Sequence, residues 1–518
     1  MVRFLATALL LASIALSPSA VTAVGSTQAA LALRAEYSGP RTISGRTTLR
    51  ARANGPARVV AVTFRRGGKA IATDTTPPYA IDVDARLLPP GRHVVRVIAV
   101  DAVGARASSP PVAVRVRSGG QRTAAVGPGP AFTRAAAALA RGHVTVQLRS
   151  GVYEIDQLRL GNGARLVGSG HSTILRPPGG RPYWSVLVAD GANIRVSNLT
   201  VDGGGPGEGI GHAVVVQSGS RDVRLSRVVI RKVRKVGVFA WGAYSEVSVQ
   251  DSKITGAPGA QAGFIAGESG HYGTSRDSSV IRTRVQGFSS FGILFAHRAH
   301  GREDAAVRAV ALDNDVRDIA DPARKGCGTD PAVKGCGTSE GGIWSGSYEG
   351  AIIGNRVRRT GWDGIQTVGS STRATIVGNH VAETRTGIYL EHATNNSLIA
   401  RNVVRRVRTG INVEWEYGGV SSRSNMFRGN RIMDADHVGL FVDVGSDGNR
   451  VVGNEFHRGA RPAIVLQGSS GNIIESNRAC GGKGPLIDER VGLRDSGAPA
   501  ASARNTVRQN STRAVCSR

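Results

Sequence analysis

Gly387-Ile388-Tyr389-Leu390-Glu391, Gly410-Ile411-Asn412-Val413-Glu414 and Gly439-Leu440-Phe441-Val442-Asp443 are one phrase written three times. Each opens on glycine, places apolar residues one and three positions later, and ends on an acid. Alternation with a period of two marks a strand that buries one face. The Gly-apolar marker recurs at Gly237, Gly263, Gly292, Gly342 and Gly364, and from Gly342 its steps are 22, 23, 23 and 29 residues. A second marker, Asn ahead of an apolar strand, falls at Asn355, Asn379, Asn402, Asn430, Asn454 and Asn477, with steps of 24, 23, 28, 24 and 23. Two markers sharing one period define a repeat. Short strands at this spacing, without helical stretches or the Leu-x-x-Leu-x-Leu pattern of a leucine-rich repeat, fit one coil of a parallel β-helix.

With the marker Gly as zero, Ile388 and Leu390, Ile411 and Val413, Leu440 and Val442, and Ile464 and Leu466 point to the core. The intervening positions then point out. One outward row reads Glu391, Glu414, Asp443 and Gln467; another reads Trp344, Gln366, Tyr389, Asn412 and Phe441. Neighbouring strands lie about 4.8 Å apart, so three carboxylates from adjoining coils stack on one face. Stacked like charges require protonation, a metal or a paired cation. Glu391, Glu414 and Asp443 are therefore the candidate catalytic acids, with His392 and His437 as candidate bases, and the three acids are candidate Ca²⁺ ligands. Tyr389, Asn412, Trp415, Phe441, Gln366 and Trp344 suit sugar rings and hydroxyls. Arg385 and Arg408, two positions before the glycine, would grip a carboxylated substrate if the bend of the coil near the glycine leaves them on the same face. The competing reading of the acid row is a solvated strand face neutralised by arginines. The Asn marker is expected to form a structural amide ladder.

Upstream, residues 35–117 alternate like short strands and carry turn signals at Gly67-Gly68, Pro77-Pro78 and Pro89-Pro90-Gly91. The run from Val62 to Tyr79 resembles bacterial Ig-like modules, which implies a small β-sandwich acting as a spacer or weak binder. Residues 118–130 read as a Gly/Pro-rich linker. Ala131–Ala140 is predicted to be a helix. With the strands ending in Gly151-Val152-Tyr153, it resembles the N-terminal cap of pectate-lyase-like β-helices. Ile353-Gly354-Asn355-Arg356-Val357 and Thr386-Gly387-Ile388-Tyr389-Leu390 likewise resemble repeats of the right-handed parallel β-helix superfamily. The fold class expected is therefore all-β: a right-handed parallel β-helix over residues 131–518, preceded by the Ig-like sandwich. Members of that superfamily include pectate lyases, polygalacturonases and alginate epimerases. The Asp-Pro-His motif of alginate epimerases is absent here, as are the paired-Asp and Gly-His-Gly phrases of polygalacturonases. The resemblance thus implies the fold and leaves the reaction open.

Residues 1–23 read as a secretory signal: Arg3, an apolar run from Phe4 to Leu16, and the small-residue site Val21-Thr22-Ala23. The alternative is an uncleaved anchor, although the run is short for a bilayer. An exported chain with four cysteines suggests two disulfides, Cys327 with Cys336 and Cys480 with Cys516. The formal charge is +28. Such a field attracts polyanions. No nucleic-acid-binding motif accompanies it. An acidic polysaccharide is the expected partner of a secreted or cell-surface monomer; the competing reading is an arginine-rich composition with no partner. Carboxylates one coil apart match the roughly 5–5.5 Å of a retaining glycosidase. Elimination or epimerisation of a uronate would instead pair a base with a neutralised sugar carboxylate. The rival function is non-catalytic: an extracellular glycan-binding or cell-surface structural protein.

Overall fold

The computed structural model describes residues 32–117, 125–179, 183–204, 211–242, 244–267, 275–295, 307–320, 341–369, 371–391, 393–414, 421–459, 462–481, 485–493 and 499–513. The expected signal at 1–23 lies outside them, as do Cys327, Cys336 and Cys516. Cys480 is not a free thiol. The two disulfide pairings stand as expectations from the sequence.

From Thr145 to Arg513 the strands form one 37-stranded sheet. Each strand pairs in parallel with the strand one coil further on. Three ladders run along the coil. The glycine-marked ladder includes Phe291–Phe295, Gly341–Ser345 and Asp363–Thr367. A second ladder includes Ser279–Ile281, Val310–Leu312, Ala351–Ile353 and Thr375–Val377. A third includes Arg284–Phe288, Asp315–Ile319 and Arg356–Thr360. Inward residues of all three merge into one apolar core running from Phe132 to Leu486.

The coil's first end is closed by a helix, Pro130–Arg141. Proline at its first turn costs no hydrogen bond. Gly142 (φ 88°) ends it in a left-handed conformation that suits glycine. Phe132 and Leu139 are its buried residues, and Phe132 meets Tyr153 edge-on at 4.8 Å. The cap shields strand edges that would otherwise be open.

Between the second and third ladders each coil turns on the Asn marker. The Asn379 side-chain oxygen accepts from the Asn355 N–H at 2.9 Å and from Asn355 Nδ2 at 3.0 Å, while Asn355 Nδ2 also donates to the Ala311 carbonyl at 2.9 Å. The same unit repeats from Asn379 to Asn402, Asn430, Asn454 and Asn477. All six are completely buried. The residue before the Asn is left-handed, and four of these positions are Gly354, Gly378, Gly429 and Gly453. Glycine accepts that conformation without strain.

The Ig-like module has a three-stranded sheet (Arg34–Tyr37, Arg46–Asn54, Ala80–Asp84) and a larger sheet built on Val59–Arg66, Gly91–Asp101 and Val112–Val116. Leu49, Val62, Phe64, Val97 and Val114 fill its core. It does not stand apart as a spacer. It lies against the second ladder, with Val60, Ala61 and Val100 packed on Ile281, Val310, Leu312 and Ile353. Among the described residues no helix is long and apolar enough to cross a membrane.

Asn402→Ala removes the acceptor for Asn379 and the donors to the Ile376 carbonyl and to Asn430. Buried groups left unpartnered cost about 1–3 kcal/mol each, so the variant should lose about 2–4 kcal/mol in urea titration. An unchanged midpoint would show that the ladder carries no stability.

Candidate active site on the glycine-marked ladder

The acid row is in register. Ile365, Ile388, Ile411, Leu440 and Ile464 pair in sequence and are completely buried. Gln366, Tyr389, Asn412 and Phe441 pair beside them and turn to the opposite face. Immediately past the strand ends, the Glu391 N–H bonds Thr367 O at 2.9 Å, the Glu414 N–H bonds Leu390 O at 3.1 Å, and the Asp443 N–H bonds Val413 O at 2.9 Å. Three adjoining coils therefore deliver three half-buried carboxylates to one wall.

Their repulsion is offset by uncharged donors. Gln366 donates to Glu391. Asn412 Nδ2 donates to Glu414 at 3.0 Å, and the Tyr389 hydroxyl donates to the same carboxylate. Asp443 accepts from the Val444 N–H at 2.8 Å and from Gln467 at 3.3 Å. Burial, reinforced by Glu414, still pushes the Asp443 carboxyl up to about 6. Tyr389 is held far above the ordinary phenol range by burial first and then by Glu414 and Glu391. It can donate a proton in a hydrogen bond but cannot serve as a base.

Asp363 is a functional candidate that sequence reading missed. It sits just before Gly364, in a row whose next members are Thr386, Thr409 and Val438. It is 1% exposed, and neither carboxyl oxygen has a hydrogen-bond partner in good geometry. Burial drives its affinity for a proton well above the carboxylate range; the Thr386 hydroxyl and Arg385 oppose this, while Glu391 and Glu414 add to it. An acid standing alone in a row of Thr and Val was the available signal.

The basic row shares this neighbourhood. Arg385 lies 3.6 Å over the Trp362 ring, and its charge is felt by Asp363 and Glu414. Burial, then Arg408 one coil on, lowers its proton affinity. His437 continues the row and is exposed; burial of part of its ring and then Arg408 lower its proton affinity.

Several polar atoms here are buried without a partner: Trp344 Nε1, both Asp363 oxygens, Gln366 Oε1, Arg408 Nη1 and Asn412 Oδ1. The Trp344 indole lies over Gly341, where a Cβ would fall 2.1 Å from Nε1. Gln366 and Tyr389 were expected to face solvent; at 2% and 9% exposure they are buried on the outward face instead. Trp344, Gln366, Tyr389, Asn412 and Phe441 pair along one ladder, with Glu391, Glu414 and Asp443 just past its strand ends and Arg385 and Arg408 two positions before its glycines. His392 and Trp415 lie outside the described residues. Among the described residues no three His, Cys, Asp or Glu side chains gather closely enough for a metal ion, and Glu391, Glu414 and Asp443 do not form such a group.

A family model described as periplasmic copper-binding protein (NosD) matches residues 329–511, and one described as bacterial Ig domain matches residues 38–97. No curated protein matches the chain. Among solved structures, the A-module of the Azotobacter vinelandii mannuronan C-5 epimerase AlgE6 is similar at 15% identity and a TM-score of 0.45, over 74% of this chain and 94% of its own. A Yersinia enterocolitica family 28 exopolygalacturonase is similar at 12% identity and 0.43, over 93% and 99%. The Streptococcus pneumoniae surface adhesin PfbA is similar at 14% and 0.43, over 73% and 98%. The chain is a parallel β-helix preceded by a bacterial Ig module.

Asp443 supplies a pH test. Its folded carboxyl keeps a proton up to about 6, whereas the unfolded one releases it near the usual 3.8. The folded state thus binds more protons in that window, and stability falls as pH rises through it. Asp443→Asn should be more stable than wild type at pH 7–8 by about 1–2 kcal/mol, a figure that allows for solvent screening of a half-buried group, with the difference gone below about pH 4. Equal urea midpoints for the two proteins at both pH values would refute the shift.

Proposed function

We propose that this chain is an extracytoplasmic polysaccharide-active protein that holds an acidic glycan along the glycine-marked ladder, over the coils from Trp344 to Asp443, and processes it by acid–base chemistry. The observation that carries this reading is the concentration of buried, unpartnered polar atoms on one face. Folded proteins leave few such atoms, and each calls for a reason. Here donors (Trp344, Arg408) stand among acceptors (Asp363, Gln366, Asn412). A polyol satisfies both, because each hydroxyl donates and accepts. Arg385 and Arg408, adjoining cations at that place, favour a sugar bearing a carboxylate.

The carboxyls differ in the way acid–base chemistry needs. Burial holds the Asp363 carboxyl well above the usual carboxylate range, which suits it to give a proton to a leaving oxygen. Glu414 accepts from Tyr389 and Asn412 beside it and is the proposed proton acceptor. In hydrolysis Asp363 would protonate the departing glycosidic oxygen while a carboxylate takes a proton from the attacking water. In elimination the carboxylate would take the proton beside the sugar carboxylate while Asp363 protonates the departing glycosidic oxygen; in epimerisation a proton would return to the same carbon from the opposite face. A second reading, glycan binding without turnover, is favoured by the 1% exposure of Asp363.

Copper, named for the NosD family, was weighed against the side chains themselves. Met433, His457 and Cys480 are in register on three coils. Cys480, however, is not a free thiol, and His457 is engaged by Glu455 at 3.0 Å and by Cys480 at 3.4 Å. These residues do not fit a copper ion.

The test is a panel of uronate-containing and neutral polysaccharides, with binding, new reducing ends and unsaturated-uronate absorbance measured, each with Ca²⁺ and with chelator. Asp363→Asn and Glu414→Gln should each lower product formation by about 10²-fold or more while binding persists. Activity should survive the chelator. Binding without product from wild type would establish the second reading, and no binding to any member would defeat both.

A further inference from the structure

The second ladder departs from the alternation seen elsewhere. Val310-Ala311-Leu312 and Ala351-Ile352-Ile353 are apolar and buried at every position. Ala311 and Ile352 belong to the interior core. Val310, Leu312, Ala351 and Ile353 point the other way, yet all are at most 3% exposed. Further along, Met426–Arg428 and Arg450–Val452 return to one buried residue between two more open ones. A strand apolar on both faces needs a cover on both. The outer cover here is the Ig module, through Val60, Ala61, Val100 and Ala102. Its turn at Gly104 (φ 76°) comes so near that a Cβ would sit 3.1 Å from Val377 Cγ1.

The polar seam is as closely matched. The Gln250 side chain, 1% exposed, copies a strand partner: Oε1 accepts from the Thr73 N–H at 2.7 Å and Nε2 donates to the Thr73 carbonyl at 2.6 Å. Arg282 grips Asp251 at 2.7 and 3.0 Å and also donates to the Thr73 hydroxyl at 3.0 Å. Arg106 pairs with Asp313 at 2.6 Å, and Arg58 donates to the Glu349 carbonyl at 2.7 Å. Contacts begin at the first coil, where Arg46 donates to Thr145 at 2.9 Å, and continue to Arg401, which donates to the Val103 carbonyl. Nine strand-to-strand steps separate Thr145–Gln147 from Leu398–Ala400. At about 4.8 Å per step the seam is roughly 43 Å long.

We propose that the Ig module is a lateral brace of the β-helix: module and coil fold as one cooperative unit, and the module's coil-facing surface is used up by the coil rather than available to a glycan. Without the module, the outer side of the second ladder would present a contiguous apolar patch of the kind that drives aggregation. Thr73 would also lose both backbone partners.

The experiment uses the full chain, by calorimetry and hydrogen exchange. Wild type should melt in one transition. Val114→Ala, in the module's core and away from the seam, should lower that single transition and speed exchange at 310–312 and 351–353, in the coil. Gln250→Ala should lower the same transition by a few degrees without splitting it. Two separate transitions in wild type would overturn the proposal. So would a Val114→Ala effect confined to module amides, with coil exchange unchanged.

Discussion

The register between coils is the constraint on which the rest depends, and one repeated hydrogen-bond unit fixes it. Each buried Asn accepts hydrogen bonds from the backbone N–H and the side-chain amide of the Asn one coil back, and donates one to a carbonyl further back. A one-residue slip in a single coil would leave several buried groups unpartnered and turn its core residues outward. Coils of unequal length, such as the 29-residue step from Gly410 to Gly439, keep the same register because additional residues fall between ladders. The acids Glu391, Glu414 and Asp443 meet on one wall because the Asn turns forbid any other arrangement.

Given that wall, the chemistry follows from how its charges are managed. Amide and hydroxyl donors accompany the row. Many other described arginines are spent on acids of neighbouring coils: Arg231 on Asp202, Arg282 on Asp251, Arg308 on Asp277, Arg458 on Asp434. Arg385 is directed instead over Trp362. A positive charge resting on an indole, one coil from a second guanidinium, is held differently from the corner ion pairs.

How much of this was legible depended on periodicity. The coil, the Asn ladder and the shared ladder of the acid row all repeat, and repetition survives inspection of a single sequence; the capping helix was legible from its own Ala-rich run. Asp363 does not repeat. It replaces a Thr in its row, and its significance comes from burial, which no spacing reveals. Gln366 and Tyr389 were placed on the correct face but taken as solvated, because alternation gives direction and not depth. The docking of the Ig module was visible only as a lapse of alternation in Val310–Leu312 and Ala351–Ile353. Nothing local says whether a doubly apolar strand is covered by a neighbouring domain, a loop or a second chain.

The brace and the site share coils, and that has an energetic logic. Unpartnered polar atoms at Trp344, Asp363, Gln366 and Asn412 and a desolvated carboxyl each weaken the fold. Such concentrations persist only where the surroundings over-determine the structure. Ala351–Ile353 and Thr375–Val377 run behind these same coils, buried at every position between the core and the module or beside it. The Asn ladder passes between them at Asn355 and Asn379. The coils that carry these unpartnered atoms are therefore backed by a ladder buried at every position, on which the Ig module packs.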